Sequence, residues 1–121
     1  MKTILKDLLI VEDHAYIRDS IIKAIVDNND IGDLKTSSTL KEAYSLLGNT
    51  NFDLIILDLS LPDGNGVDLL KMINDKKLET KVFVFSMSTN LKRICLKHGA
   101  SAFFDKANDF DKLIEAIKLF N

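Results

Sequence analysis

The sequence has few of the features that mark membrane, secreted and disulfide-rich proteins. Its single cysteine excludes an internal disulfide and agrees with a reducing compartment. The apolar stretch near the start covers only residues 8–11 before it meets Glu12 and Asp13, which is too short for a signal peptide. No run approaches the roughly 20 apolar residues of a membrane span. We therefore predict a cytoplasmic protein with no membrane segment.

An excess of charge of one sign is also missing. The chain has 16 lysine and arginine residues against 18 aspartate and glutamate residues, a net charge of -2, and the two signs are interspersed. Without a basic stripe, direct binding to nucleic acid is not expected. A length of 121 residues is enough for one hydrophobic core. We predict a single domain over residues 1–121, with no effector domain in this chain.

The sequence does contain a regular alternation of short β-rich runs with helical periodicity. The strand segments are 7–11, 34–37, 54–57, 82–85 and 102–104, and the helical segments are 16–26, 40–47, 67–73, 91–96 and 110–120. This alternation predicts right-handed crossovers and an α/β fold, with a parallel sheet covered by helices on both faces. The second strand is polar and is predicted at an edge of the sheet.

Local signals refine this assignment. Thr39 opens a capping-box pattern at the start of the second helix, Asn108 is predicted to cap the last helix, and Gly99 to end the fourth. His14 lies beside the acidic pair, but we interpret it as a residue at the start of the first helix and not as a metal ligand. Cys95 lies on an apolar stripe and is predicted to fill the core.

Acidic side chains follow two of the apolar runs. Glu12 and Asp13 end the first run, and Asp58 ends the third. Because ligands in such sheets bind beyond the carboxyl ends of the strands, these carboxylates are expected to converge on one pocket. At an effective dielectric of ~20, two carboxylates ~4 Å apart repel by about 4 kcal/mol, so the cluster needs a cation or an exchangeable proton. This combination predicts a chemical site.

Further polar residues occupy matching places. Ser86 closes the fourth strand, Lys106 follows the fifth, and a turn-rich loop, 61–66, comes after Asp58. In this order, with one element at each strand-to-helix junction, the chain resembles the receiver domain of bacterial two-component response regulators over about residues 7–120. The resemblance implies a doubly wound, flavodoxin-like (βα)5 fold with five parallel strands in the order 2-1-3-4-5.

The resemblance also implies roles for the site residues. Asp58 is the expected phosphoryl acceptor, because a carboxylate in a preorganised site can act as a nucleophile. Mg²⁺ prefers hard oxygen ligands, and it is the expected cofactor. Its expected ligands are Glu12, Asp13, Asp58 and the backbone carbonyl of Ser60. Lys106 is expected to pair with Asp58 at rest and with a phosphoryl oxygen afterwards.

The expected switch and two departures from the family pattern lie near the fourth and fifth strands. Ser86 is expected to donate its hydroxyl hydrogen to a phosphoryl oxygen, and Phe103 to turn inward as the switch aromatic. The family usually has proline after the lysine, whereas Lys106–Ala107 is expected to be an ordinary trans peptide. The family usually has a small residue after the serine. Here Met87 is predicted to act as a gate over the pocket, with plain core packing as the alternative.

The leading hypothesis is a signalling switch that takes a phosphoryl group on Asp58 from a histidine kinase or a phosphotransfer protein. It would report this state to a downstream protein through the face formed by the fourth helix, fifth strand and fifth helix, and a phosphorylation-dependent dimer is also kept open. The protein would catalyse only its own Mg²⁺-dependent phosphorylation and dephosphorylation. It would therefore not be an enzyme with a turnover substrate.

Three alternative functions are less consistent with these residues. A Mg²⁺-dependent phosphohydrolase of the haloacid-dehalogenase type would need a second aspartate two residues after the nucleophile, where this chain has Ser60. A flavodoxin-like cofactor binder would need a glycine- or threonine-rich phosphate loop after Val11. A receiver-like docking module that is never phosphorylated would have no need of the intact set of site residues.

Overall fold

Five parallel strands form one sheet in the computed structural model, which describes residues 4–120. The strands are β1 (Lys6–Val11), β2 (Ile31–Ser37), β3 (Leu54–Leu57), β4 (Lys81–Ser86) and β5 (Ala102–Asp105). Their order across the sheet is β2-β1-β3-β4-β5, with every neighbouring pair parallel. This arrangement confirms the predicted fold, including the place of β2 at an edge.

Four α-helices connect the five strands, and a fifth follows β5. They are α1 (Ala15–Ile25), α2 (Leu40–Asn49), α3 (Val67–Asp75), α4 (Lys92–Lys97) and α5 (Phe110–Leu119). A one-turn 3-10 helix, Thr89–Leu91, precedes α4, and a two-stranded antiparallel hairpin, Ser60–Leu61 with Gly64–Asn65, lies between β3 and α3. We call the latter the 60–65 hairpin. None of the helices within residues 4–120 combines the length and the apolar character that a membrane crossing requires.

The sheet separates two apolar layers. Alternate residues of β1 point to opposite faces, so that Leu9 packs into the layer beneath α2 and α3, and Leu8 into the layer beneath α1 and α5. All four residues of β3 are buried, because this central strand is covered on both sides. Cys95 is also fully buried, which confirms it as a core residue, and burial raises the pKa of its thiol.

The helix ends agree with most of the local signals. The Thr39 hydroxyl accepts a hydrogen bond from the backbone N–H of Glu42 at 3.1 Å, so Thr39 caps α2 as predicted. Gly99 follows α4 with φ of +96°, a conformation that favours glycine, and this confirms its place after the helix end. His14 occupies the position before α1, again as predicted. Within residues 4–120 there is no cis peptide bond, so Lys106–Ala107 is trans.

The prediction that Asn108 caps the last helix is wrong. α5 begins at Phe110, which places Asp109 in the cap position. The Asn108 side-chain amide instead donates to Asp105 Oδ2 at 3.1 Å, and Asp109 Oδ2 accepts from the backbone N–H of Asp105 at 2.9 Å. Both side chains are used to close the loop back onto the end of β5, because that strand end offers donors and acceptors nearby.

Lys6 joins the first strand to the last helix at the base of the sheet. Its buried Nζ donates to the carbonyl oxygens of Ile117 at 2.7 Å and Phe120 at 2.6 Å, and it pairs with Asp30 at 3.3 Å. The last carbonyls of a helix have no intrahelical donor, and a cation is favoured there by the helix dipole. The carboxyl end of α5 is therefore fixed where the strands begin, at the end of the sheet opposite to Asp58.

Candidate functional site

Three carboxylates meet at the carboxyl edge of the sheet. One oxygen from each of Glu12, Asp13 and Asp58 can be chosen so that all three lie within 4.8 Å of one another. Glu12 and Asp58 are buried, at 2% and 4% exposure, while Asp13 is exposed. The convergence predicted from the two strand ends is therefore present in the structure.

Backbone hydrogen bonds hold these carboxylates in place. The N–H of Glu12 donates to the carbonyl oxygen of Ser37 at 2.9 Å, and the N–H of Asp58 donates to that of Val11 at 2.9 Å. Each bond continues the pattern of the parallel sheet by one residue beyond the strand. The chain can leave the sheet only after these residues, so both side chains project from a rigid edge.

Lys106 provides the cation of the cluster. Its Nζ lies 2.8 Å from Glu12 Oε1 and 3.2 Å from Asp58 Oδ1, and the side chain is only 10% exposed. The backbone N–H of Lys106 donates to the carbonyl oxygen of Ser86 at 3.1 Å, which ties the loop after β5 to the end of β4. One ammonium thus bridges two buried carboxylates, and it offsets part of their mutual repulsion.

The cluster keeps an excess of negative charge. Burial raises the pKa of the Glu12 carboxyl above its usual range, and the nearby Asp58 charge adds to this effect, while the hydrogen bond from Lys106 opposes it. Among the residues that the structure describes, these three carboxylates face one ammonium, that of Lys106. A donor set made only of carboxylate oxygens suits a hard divalent cation such as Mg²⁺. The residues present therefore fit the predicted cofactor.

The serine and the aromatic residue predicted to form the switch lie on the neighbouring strands β4 and β5. Ser86 is 1% exposed, and its hydroxyl oxygen accepts a hydrogen bond from the backbone N–H of Ser88 at 3.0 Å. A serine hydroxyl that accepts one bond retains its own O–H for donation. Phe103, on the neighbouring strand β5, is half-buried and packs against the apolar layer beneath α2 and α3.

Met87 points away from the core. It is 65% exposed, although the adjacent Ser86 is fully buried. The alternative that Met87 is a core packing residue is therefore wrong, because the strand ends at Ser86 and the chain turns out toward solvent. Its position next to the site is compatible with the gate, which stays a prediction.

The 60–65 hairpin contacts both Asp58 and the start of α2, and the second of these contacts was not predicted from the sequence. The backbone N–H of Ser60 donates to Asp58 Oδ1 at 3.3 Å. At the hairpin turn, the Asp63 carboxylate accepts hydrogen bonds from the backbone N–H groups of Leu40 at 2.8 Å and Lys41 at 3.0 Å, at the start of α2. Asp63 has no local sequence signal for this role, because its partners are 23 and 22 residues away.

The contact between Asp63 and α2 is expected to make the thermal stability of the protein depend on pH in the acid range. The N–H groups of Leu40 and Lys41 hold the pKa of the Asp63 carboxyl below its usual range. A carboxyl with a lowered folded-state pKa stabilises the fold above its unfolded pKa of about 3.9, and this contribution is lost as the pH falls through the folded pKa. Asp63→Ala should therefore lower the melting temperature above about pH 4 and matter less in stronger acid. Thermal melts against pH check this, and an effect of equal size at all pH values would contradict it.

Comparison with known proteins identifies the family. A family model described as the response regulator receiver domain matches residues 8–118. The chain belongs to this family, which confirms the resemblance drawn from the order of the strand-end residues. Receiver domains are signalling modules of two-component systems, and the flavodoxin-like fold observed here is theirs. The phosphohydrolase, the cofactor binder and the docking module are not favoured by this result.

Individual relatives are response regulators. The chain is 29% identical over 112 residues to the nitrate/nitrite response regulator protein NarL of Escherichia coli, an alignment that covers 91% of this chain and 52% of NarL. It is 32% identical over 111 residues to the response regulator protein PilR of Pseudomonas aeruginosa, covering 90% of this chain and 24% of PilR. The chain thus spans about half the length of NarL and a smaller share of PilR.

A solved structure shows the same fold. The receiver domain of the Francisella response regulator 1452 superposes with a TM-score of 0.83 and 28% identity, and the match covers 94% of each chain. The agreement extends over almost the whole described chain. The fold described above is therefore that of a receiver domain.

Proposed function

We propose that Asp58 is the phosphoryl acceptor of this receiver domain and that its phosphorylation switches the protein between two signalling states. The observation that carries the proposal is the Asp58 carboxylate itself, which is 4% exposed, lies 3.2 Å from Lys106 and shares one pocket with Glu12 and Asp13. A carboxylate held in this way has its nucleophilic oxygen oriented by the protein before the donor arrives.

The proposed reaction exchanges one bond to phosphorus for another. An oxygen of Asp58 attacks the phosphorus of a phosphohistidine, a phosphorus–oxygen bond forms, and the phosphorus–nitrogen bond breaks with its electron pair going to the imidazole of the donor. Lys106 then moves from Asp58 to a phosphoryl oxygen. The Ser86 hydroxyl donates to another phosphoryl oxygen, and Phe103 follows it inward.

Mg²⁺ is the proposed cofactor, held by Glu12, Asp13, Asp58 and the backbone carbonyl of Ser60. The bound ion would supply positive charge that neutralises the transferring phosphoryl group and the carboxylates around it. The protein contributes a rigid set of oxygens at the sheet edge, and Lys106 supplies the remaining positive charge. We include the autocatalytic loss of the phosphoryl group to water in the same proposal.

The proposed partners are a histidine kinase or phosphotransfer domain as donor and a downstream protein as receiver of the signal, in the cytoplasm. The output surface would be the face of α4, β5 and α5. On α4 the apolar Ile94 and Leu96 are 44% and 43% exposed, beside the basic Lys92, Arg93 and Lys97. A partner that buries this surface in one state only would read the switch, and a second copy of the chain is one such partner.

Mass spectrometry tests the proposed function directly. After incubation with acetyl phosphate and Mg²⁺, we expect the intact chain to gain the mass of one phosphoryl group. Chelation of Mg²⁺ during the incubation should prevent the gain, since the carboxylate cluster would then repel the anionic donor. A protein that stays unlabelled under both conditions, while folded, would overturn the proposal.

Met87→Ala is expected to accelerate both the labelling by acetyl phosphate and the hydrolysis of the phosphorylated protein. The thioether lies directly after Ser86 and can hinder a small donor or an in-line water, whereas alanine cannot. Because Met87 is 65% exposed, the free energy of unfolding should change by no more than about 0.5 kcal/mol. Leu119→Ala is the matched control, since Leu119 is 69% exposed at the far end of α5. Equal rates in both variants would exclude the gate.

A further inference from the structure

The 60–65 hairpin contacts the phosphoacceptor on one side. The backbone N–H of Ser60 donates to Asp58 Oδ1, and the N–H of Gly66 closes the loop by donating to the carbonyl oxygen of Leu59 at 2.8 Å. A Cβ atom on Gly66 would collide with the carbonyl oxygen of Asp58. The backbone on this side of the hairpin is therefore packed directly against the acceptor residue.

The other side of the hairpin contacts the start of α2. Both oxygens of Asp63 accept hydrogen bonds there, one from Leu40 and one from Lys41. The next residue, Gly64, has φ of +152°, and a Cβ atom in its place would lie 2.9 Å from Leu40 Cδ1. Two hydrogen bonds thus join the hairpin turn to the first turn of α2, and the space between Gly64 and Leu40 is too small for a side chain at position 64.

The contact with Asp63 is not a duplicate of the local cap of α2. Thr39 satisfies the N–H of Glu42, the third residue of the helix, and it leaves those of the first two residues to other acceptors. The two carboxylate oxygens of Asp63 accept from these two N–H groups, 23 and 22 residues away in the sequence. A hairpin with two residues in each strand has little stability of its own, so its position depends on such external contacts.

We propose that Asp63 is a positioning residue for the phosphorylation site: by holding the hairpin turn on α2, it fixes Ser60 against Asp58. This inference rests on the proposed function, in which the Ser60 carbonyl binds Mg²⁺. Loss of the Asp63 contact frees the turn to move, and the backbone of Ser60 moves with it. Groups that orient metal ligands in this way commonly change metal affinity by tenfold or more when removed.

The same contact makes α2 sensitive to the site. Linkage requires that if the Asp63 contact strengthens Mg²⁺ binding, Mg²⁺ binding strengthens the Asp63 contact by the same factor. Occupation of the site should therefore reduce the opening of the first turn of α2. The amino end of α2 then becomes a place, away from the face of α4, β5 and α5, that responds to Mg²⁺ occupation of the site.

A pair of matched variants tests the positioning role. Asp63→Ala removes the contact to α2, and Asp53→Ala is the control, because Asp53 Oδ2 likewise accepts from a backbone N–H, that of Asp7 at 2.7 Å, at the opposite edge of the sheet. By calorimetric titration with MgCl₂, we expect Asp63→Ala to weaken Mg²⁺ binding by about tenfold and Asp53→Ala by less than about twofold. Asp63→Asn, which retains one acceptor oxygen, should fall between them.

Equal Mg²⁺ affinities in the two alanine variants would overturn the positioning role, while the wild-type protein would still bind Mg²⁺ and become labelled. Failure of the wild type to do either would instead overturn the proposed function. Hydrogen exchange of the wild type provides a measurement that needs no variant. Saturating Mg²⁺ should slow exchange of the Leu40 and Lys41 amides by up to about tenfold, and unchanged exchange there would also overturn the proposal.

Discussion

Asp58→Asn is expected to abolish phosphorylation by acetyl phosphate. The amide is nearly the same size as the carboxylate, but it lacks the anionic oxygen that attacks phosphorus. Glu12 is also buried beside Lys106, but Asp58 additionally accepts a hydrogen bond from the N–H of Ser60, and this distinguishes it from the other carboxylates of the described cluster. Intact-protein mass spectrometry should show the phosphoryl mass in the wild type and none in the variant.

Asp53→Asn is the matched control for this experiment. Asp53 precedes β3 and Asp58 follows it, so the two residues flank the same strand at opposite edges of the sheet. The control should label at the wild-type rate. Labelling of Asp58→Asn at an undiminished level would move the acceptor to another residue and would refute the assignment.

Mg²⁺ is expected to raise the thermal stability of the protein. The carboxylate cluster exists only in the folded chain, so the ion binds the native state and not the unfolded one. At 100 times the dissociation constant, the gain in the free energy of unfolding is about 2.7 kcal/mol. For a domain of this size the melting temperature should rise by roughly 10 °C, which calorimetric scans with and without MgCl₂ can measure.

Asp13→Asn should distinguish the effect of carboxylate repulsion on stability from the effect of Mg²⁺ binding. Without the ion, removal of one carboxylate from the cluster should raise stability by on the order of 1 kcal/mol, since Asp13 is exposed and the dielectric around it is close to that of water. The increase in stability that Mg²⁺ causes should be smaller in Asp13→Asn than in the wild type, because the variant has lost one of the ligands of the ion. Asp27→Asn removes the same charge from an exposed turn after α1 and serves as the control. If Asp13→Asn matched this control in both conditions, Asp13 would lie outside the site.

The sequence predicted the strands and the converging carboxylates because these depend on local rules, whereas the strand order was implied by the resemblance to the receiver family. Residues buried on both faces form continuous apolar runs, as at β3, and parallel strands bring their carboxyl ends to one edge. Once Glu12 and Asp58 end neighbouring strands, their proximity follows from the topology alone. The resemblance to the receiver family rests on these same positions.

The features that the sequence did not predict depend on tertiary contacts. In the loop after β5, the side chains of Asn108 and Asp109 form hydrogen bonds with Asp105. Asn108 is a good capping residue, but its side chain bonds to Asp105 and does not cap α5. The Asp63 contact with α2 joins segments 22 and 23 residues apart, and the sequence of neither segment indicates that it contacts the other. Hydrogen bonds of this kind become visible only when the packing of the helices is known.

The Lys6 contacts at the base of the sheet restrict how α5 can respond to the site. Since its carboxyl end is fixed, we expect any movement imposed by the Lys106 loop to turn the helix about that end. The displacement is then greatest at Phe110 and smallest at Leu119, over a helix about 15 Å long. A partner that distinguishes the two states should therefore contact the first turns of α5, and substitutions near Leu119 should leave the discrimination unchanged.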